Sequence, residues 1–223
     1  MTLVDQPTPT ARDDTRSGSS DSAITIRRPT IDTVLITAGL VVTAVLLVAG
    51  ALLTWGSNFA EDYVHDELSA QNIQFPDLAT LQEDNPALVG YADAVVDTGP
   101  EAEAYAAYID GHLAGIADGA TYADLGGPER QARAALEAAQ AAGSDDATVA
   151  DLQATYDEIS GQRNSLFKGE TLRGLLLSTF AWSTIGRIAG VAAMVVLVAA
   201  AVMLVLVVLG EWHRRRAAQS PMR

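Results

Sequence analysis

Hydrophobic and polar positions divide the chain into five stretches: a polar beginning, an apolar run, a long mixed middle, a second apolar run and a short polar end. The first run, Thr33 to Ala60, carries no charge, and neither does the second, Ile188 to Gly210. A helix rises about 1.5 Å per residue, so about 20 apolar residues cross a hydrocarbon core about 30 Å thick. Both runs reach that length, which predicts transmembrane helices over 31–55 and 188–211. The first has an apolar stretch of about 22 residues, beyond the roughly 7–15 of a cleaved signal peptide. Its small-residue motif, Ala49-Gly50-Ala51, lies inside the run rather than after it. A retained anchor is therefore expected.

The mixed middle reads as helices separated by strong punctuation. Asn58 to Ile73 extends the first apolar helix until Phe75-Pro76 breaks it, and Leu78 to Asp84 reads as a connector. Asn85-Pro86, Gly99-Pro100, Gly127-Pro128-Glu129 and Ser144-Asp145-Asp146 mark four helix starts, because proline fits a first turn and Ser, Thr or Asp caps it. Thr98 is placed to cap the second, where Glu101 and Glu103 favour the helix dipole. Thr148 and Asp151 form a candidate capping pair in the last.

From Pro100 to about Ala117, Tyr105, Tyr108 or Ile109, Leu113 and Ile116 recur at helical spacing. Glu129 to Ala142 is mostly Ala around Leu136. Val149, Leu152, Tyr156, Ile159, Leu166 and Phe167 form an amphipathic stripe. Gly119 suits a left-handed helix end that returns Tyr122 and Leu125 to the bundle. Ala, Glu, Gln and Leu dominate these segments, so a helical bundle is expected and not a sheet.

Between Arg173 and Arg187 lie Leu175, Leu176, Leu177, Phe180, Ala181, Trp182 and Ile185. This stretch is too short to span alone and reads as an outer, interfacial extension (174–187) of the second span. Arg187 within hydrocarbon would cost about 2.5–3.5 kcal/mol on insertion scales. It is expected at the outer boundary, with its guanidinium snorkelling outward.

Charge then fixes an orientation. Between Gly56 and Gly186 the cations are Arg130, Arg133, Arg163, Lys168 and Arg173, against twenty-two Asp and Glu. So acidic a segment repels nucleic acid and anionic headgroups, and no nucleic-acid partner is expected. Cations gather instead at Arg12, Arg16, Arg27 and Arg28 and at Arg214, Arg215, Arg216 and Arg223. The positive-inside bias places both termini in the cytoplasm and 56–187 outside a plasma membrane, although Arg173 and Arg187 flank the second span on its outer side. Trp55, Trp182 and Trp212, with Arg187 and Arg214 to Arg216, are the expected membrane-interface residues. Residues 1–30 have almost no large apolar side chains before Ile24 and read as a disordered cytoplasmic tail. Residues 212–223 read as a basic one. With no cysteine, an exported domain here has no disulfide.

Candidate chemistry is sparse. His65 and His112 are the two histidines of the middle segment, isolated in sequence and without paired metal-ligand spacing. There is no cysteine nucleophile, no Gly-x-Ser-x-Gly elbow and no phosphate loop. Carboxylates are spread along helix faces. Glu170 and Arg173 form a local helical pair. A better signal is the small-residue ladder Gly186-x-x-x-Gly190 with Ala189-x-x-x-Ala193, which lets helix backbones approach closely in lipid. Gly186, Gly190 and Ala193 are the expected packing positions, with Gly39, Ala49, Gly50 and Ala51 on the first span.

Two stretches carry a resemblance. One is Ala106-Ala107-Tyr108-Ile109-Asp110-Gly111-His112-Leu113, followed by Asp118-Gly119-Ala120-Thr121-Tyr122-Ala123-Asp124-Leu125. The other runs from Leu166-Phe167-Lys168-Gly169-Glu170-Thr171 through Leu172-Arg173-Gly174-Leu175-Leu176-Leu177. With the flanking spans, from about Ile31 to Trp212, the chain resembles a family of small actinobacterial membrane proteins of unknown function, often labelled "aromatic ring-opening dioxygenase". The resemblance implies an exported helical domain held between two spans. The enzymatic label fits poorly, because extradiol dioxygenases need two histidines and a carboxylate on iron in a soluble fold.

The expectation is thus an all-α membrane protein: two transmembrane helices flanking a small extracytoplasmic helical bundle (56–173). Its expected role is non-enzymatic, with the acidic domain serving interaction, scaffolding or envelope maintenance, as an accessory subunit or homo-oligomer in the bilayer and without a cofactor. The alternative is a metal-dependent enzyme using His65 and His112.

Overall fold

The computed structural model describes residues 28–219, with side chains described over 30–216. The tail expected over the first thirty residues falls almost wholly outside that range, as does Arg223. Five α-helices account for most of the rest: α1 Arg28–Ser69, α2 Leu78–Asp84, α3 Gly99–Ala114, α4 Gly126–Ala142 and α5 Asp146–Gln219. Short 3-10 turns occupy Pro86–Tyr91 and Ile116–Gly119. No strand occurs among the described residues; a single antiparallel bridge joins Gln74 and Val95. The protein is all-helical, with two helices long and apolar enough to cross a membrane.

Those two helices form an antiparallel pair. Positions Gly39, Thr43, Gly50, Ser57, Ala60, Val64 and Leu68 are buried along α1, at spacings of three, four or seven residues. Gly186, Ala193, Ala200 and Val207 repeat every seven residues along α5. This is the seam of a left-handed helix pair. Gly39 lies against Val207, Gly50 against Leu197, Ser57 against Gly190 and Ala60 against Gly186. As one number rises the other falls, so the register holds along the whole apolar length. Polar groups inside it are satisfied locally: the Thr43 hydroxyl donates to the Gly39 carbonyl at 2.7 Å, and Thr54 to Gly50 at 2.8 Å. Outward-facing Val, Leu and Ile remain exposed along both helices.

The helix after Asp146 does not end in the middle segment. Val149 to Phe167, residues 174–186 and the second apolar run form one helix of 74 residues, about 110 Å long at 1.5 Å per residue. Its upper part is the spine on which α3 and α4 pack. Val64, Leu68, Phe75, Leu81, Leu88, Val96, Ala102 and Leu176 close one core. Phe75, 2% exposed, stacks on Tyr91 and meets Tyr105 edge-on, with centroids 5.2 and 5.1 Å away. Leu113, Leu125 and Leu166 close a second, smaller core.

Several local expectations need correction. Leu78 to Asp84 is a helical turn and not a connector, because the Asp77 carboxylate accepts the Thr80 amide at 2.8 Å and caps it. Asn85-Pro86 opens only a 3-10 turn. The helix starting at Gly99 stops at Ala114, three residues short of Ala117, where Ala117 and Asp118 take positive φ ahead of Gly119 at φ 81°. The last helix is capped by Asp145, whose carboxylate takes both the amide and the hydroxyl of Thr148, so Asp151 has no part in the cap. Phe167 belongs to the expected apolar stripe but is 55% exposed, set beside Tyr122.

Candidate functional site

The spacing of α1 and α5 at the upper end of their charge-free lengths creates a cleft. Ala60 packs tightly against Gly186 there; Glu61 and Asp62 are the first charges above it on α1, and Arg187 stands beside the seam on α5, one residue toward the span. The chain then returns at Asp97-Thr98, and Gly99 packs directly on the Ser183 side chain, where a Cβ has no room. These residues and His65 line an open cleft of about 430 Å³.

Its floor is organised by Glu101. One carboxylate oxygen accepts the Thr98 hydroxyl at 2.7 Å, the Thr98 amide at 2.9 Å and the Asp97 amide at 3.1 Å. Burial pushes this carboxyl up, but the hydrogen bonds from Thr98 and Asp97 outweigh it and hold the group below its ordinary value. Because Glu101 already occupies the N-terminus of α3, that end offers nothing to an incoming anion. The His65 Nδ1 lies 3.3 Å from the Asp97 carbonyl oxygen and 3.9 Å from its carboxylate, with the ring largely exposed. Three carboxylates and a histidine thus face one arginine. The cleft can take a cationic side chain.

His112 sits elsewhere, in the last turn of α3. Its Nε2 is 3.8 Å from the Asp84 carboxylate and its ring stacks obliquely on Tyr108, with centroids 4.5 Å apart. Burial raises the Tyr108 hydroxyl above its ordinary value, with Asp84 adding to the effect. The two histidines therefore keep different carboxylates, and no group of three metal-ligating side chains forms among the described residues.

Higher on α5, Arg163 organises a polar patch that sequence spacing did not reveal. Its guanidinium bonds Glu129 at 2.6 Å, donates to the Tyr122 carbonyl at 3.3 Å and lies 4.0 Å above the Tyr122 ring. Burial works against the Glu129 charge, yet hydrogen bonds from Arg163 and Ser160 hold its carboxyl below the ordinary value. A cleft of about 400 Å³ adjoins this patch, between Glu129, Ser160 and Phe167. Arg173, as expected, bonds Glu170 at 3.2 Å, and it also reaches Asp110 at 3.4 Å.

The aromatic and cationic residues expected at the interfaces lie on outward faces. Trp55 is 67% exposed and begins a ladder on α1, stacked on Phe59, which is stacked on Tyr63. Trp182 is exposed on α5, and so is Arg187. At the opposite end the Arg216 guanidinium lies 3.7 Å over the Trp212 ring. Arg214 and Arg215 both bond Glu211, at 2.8 and 2.9 Å, and Arg214 also reaches the Thr33 hydroxyl of α1 at 3.2 Å. Gly186, Gly190 and Ala193 all lie on the seam between α1 and α5. Ser57, their buried partner, was missed because a lone serine after Trp55-Gly56 has no signal of its own. Comparison with known protein families, with curated proteins and with solved structures finds no match.

Proposed function

We propose that this protein is a non-enzymatic membrane anchor for an acidic helical module. In this reading α1 and the lower part of α5 cross the bilayer, both termini are cytoplasmic, and residues 56–187 stand outside. The carrying observation is the unbroken course of α5 from Asp146 to Gln219. Residues 188–211 rise about 36 Å, enough for a hydrocarbon core, and the same helix continues upward as the spine for α3 and α4. No flexible joint on α5 separates the apolar part from the acidic part.

Such a rod holds a densely acidic surface at a fixed height and orientation above the membrane. That suits recognition of a basic protein partner, with charge setting orientation and encounter rate more than raw affinity. This arrangement supports a role in interaction, scaffolding or envelope maintenance, as an accessory subunit or a homo-oligomer. The small residues of the seam are consumed within the chain, between α1 and α5, so a partner would meet the outer bundle or the outward apolar faces. The experiment is crosslinking in native membranes: a defined heteromeric or homomeric product is expected, and recovery of an unassociated monomer alone would reject the reading.

A further inference from the structure

The lower end of the α1–α5 pair holds a groove unlike the rest of the seam. It has a volume of about 650 Å³ and is walled by Ile36, Leu40, Val207 and Val208, with Glu211, Arg214, Arg215 and the Thr33 and Thr37 side chains at its mouth. The seam opens here because the small residues stop: Gly39 is the last glycine of α1 toward this end, and Gly210 is separated from Ile36 by ordinary van der Waals contact rather than close approach. Trp212 borders the same mouth. An apolar slot closed at its lower end by guanidinium groups matches a lipid, not a water-soluble ion: phosphate below, acyl chain above along the spans.

Charge decides which lipid. Three guanidinium groups, Arg214, Arg215 and Arg216, stand against the one carboxylate of Glu211 at this end of α5. Glu211 takes the Nη2 of Arg214 and the Nε of Arg215, while each guanidinium has five N–H donors in a fixed fork suited to phosphate. Asp32, next to Thr33, is the other acid nearby in sequence. The balance stays cationic, so a headgroup with net negative charge is preferred over a zwitterionic one. Volume and lining are within the range of small-molecule sites.

We propose that this groove binds one anionic phospholipid of the inner leaflet, its phosphate held by Arg214 and Arg215 and an acyl chain lying along Ile36, Leu40, Val207 and Val208. The proposal rests on the membrane-spanning reading above. Bound there, the lipid would bridge α1 and α5 beside the Gly39–Val207 contact and would fix the height of the pair in the bilayer.

The test uses the full chain in detergent micelles, offered equimolar phosphatidylglycerol and phosphatidylcholine and examined by native mass spectrometry. Retention of phosphatidylglycerol over phosphatidylcholine by on the order of 25-fold is expected, at about fivefold for each of the two arginines. Arg214→Gln/Arg215→Gln should abolish the preference, while Arg130→Gln/Arg133→Gln, with the same change in charge, should keep it. Val208→Trp fills the groove without touching a charge and should also lose the retained lipid. Equal retention of both lipids, or a preference surviving in Arg214→Gln/Arg215→Gln, would overturn the proposal, as would equal occupancy by glycerol 3-phosphate. Carbonate extraction separates the two readings: a chain that stays with the membrane pellet but shows no lipid preference rejects only the groove, whereas a chain released into the supernatant rejects the membrane span itself.

Discussion

Ser57 and Gly190 meet so closely that a Cβ built on the glycine would stand 2.8 Å from the serine Oγ. One turn higher, a Cβ on Gly186 would come within 2.9 Å of the Ala60 methyl. Bulk at either position must push α1 and α5 apart, since neither contact lies at the end of a long flexible side chain. Gly186→Leu should destabilise the helix pair by about 1–3 kcal/mol. Unfolding by steric trapping in bicelles measures this directly, and an unchanged stability would show that the two helices do not pack in this register.

Gly161 and Gly174 provide the opposite case within the same helix. A Cβ at either meets nothing within 4 Å, and both sit inside α5. Glycine in a helix interior is less stable than alanine by roughly 0.5–1 kcal/mol. Gly161→Ala and Gly174→Ala should each stabilise the protein by about that amount, read as a rise in thermal midpoint by circular dichroism. Destabilisation by either substitution would mean that α5 bends or breaks there.

How far the chain could be read in advance follows from the reach of each interaction. The two apolar helices were evident because lipid-length runs without charge are local features, and the starts at Pro100 and Pro128 were evident because proline acts within one turn. Unbroken continuation of α5 through Gly161, Gly169 and Gly174 was only partly visible, since glycine permits a break without requiring one. It is held straight by packing on α3, where Gly169 lies directly under Leu113. The long-range polar contacts were not visible: His65 finds Asp97 thirty-two residues on, and Arg214 finds Thr33 at a separation of 181. Residues so far apart become neighbours only through the fold.

Acid should loosen the outer bundle. Hydrogen bonds from the Thr80 amide, the Thr121 hydroxyl and the Thr148 amide hold the Asp77, Asp124 and Asp145 carboxyls below their ordinary 3.8. Glu101, despite the opposing effect of burial, also lies below its ordinary 4.5. A carboxyl depressed in the folded state contributes stability that is complete above its unfolded value and is lost as pH falls through its folded value. The thermal midpoint should therefore be flat from pH 7 to about 5 and fall below about pH 4. Glu101→Gln should lower the midpoint at pH 7 and make the acid fall shallower; an identical slope in the variant would remove Glu101 from the account.

Arg163 should tolerate neither neutralisation nor a change to lysine. Its flat guanidinium meets the Glu129 carboxylate, the Tyr122 carbonyl and the Tyr122 ring face at once, which an ammonium cannot reproduce. Arg163→Met leaves Glu129, only 15% exposed, without its main partner. Both variants should lower the thermal midpoint, Arg163→Met more than Arg163→Lys. Arg130→Gln, on the same helix as Glu129 but outside this cluster of contacts, is the control. Equal effects from Arg163→Met and Arg130→Gln, with none from Arg163→Lys, would mean that net charge and not this contact set matters.

Because the chain has no cysteine, its orientation can be read with single introduced thiols. Ser144→Cys places one in the turn between α4 and α5, more than forty residues from either apolar run, and Ser17→Cys places another ahead of α1. With both termini inside, a membrane-impermeant maleimide should label Ser144→Cys in intact cells and Ser17→Cys only after permeabilisation. The reversed pattern would invert the topology. It would also set the cations of Arg214 to Arg216 on the outer face, against the charge bias that orients spans, and would move any lipid in their groove to the opposite leaflet. Labelling of both positions in intact cells would mean that the two ends of the first helix face the same side, and that α1 does not cross the bilayer at all.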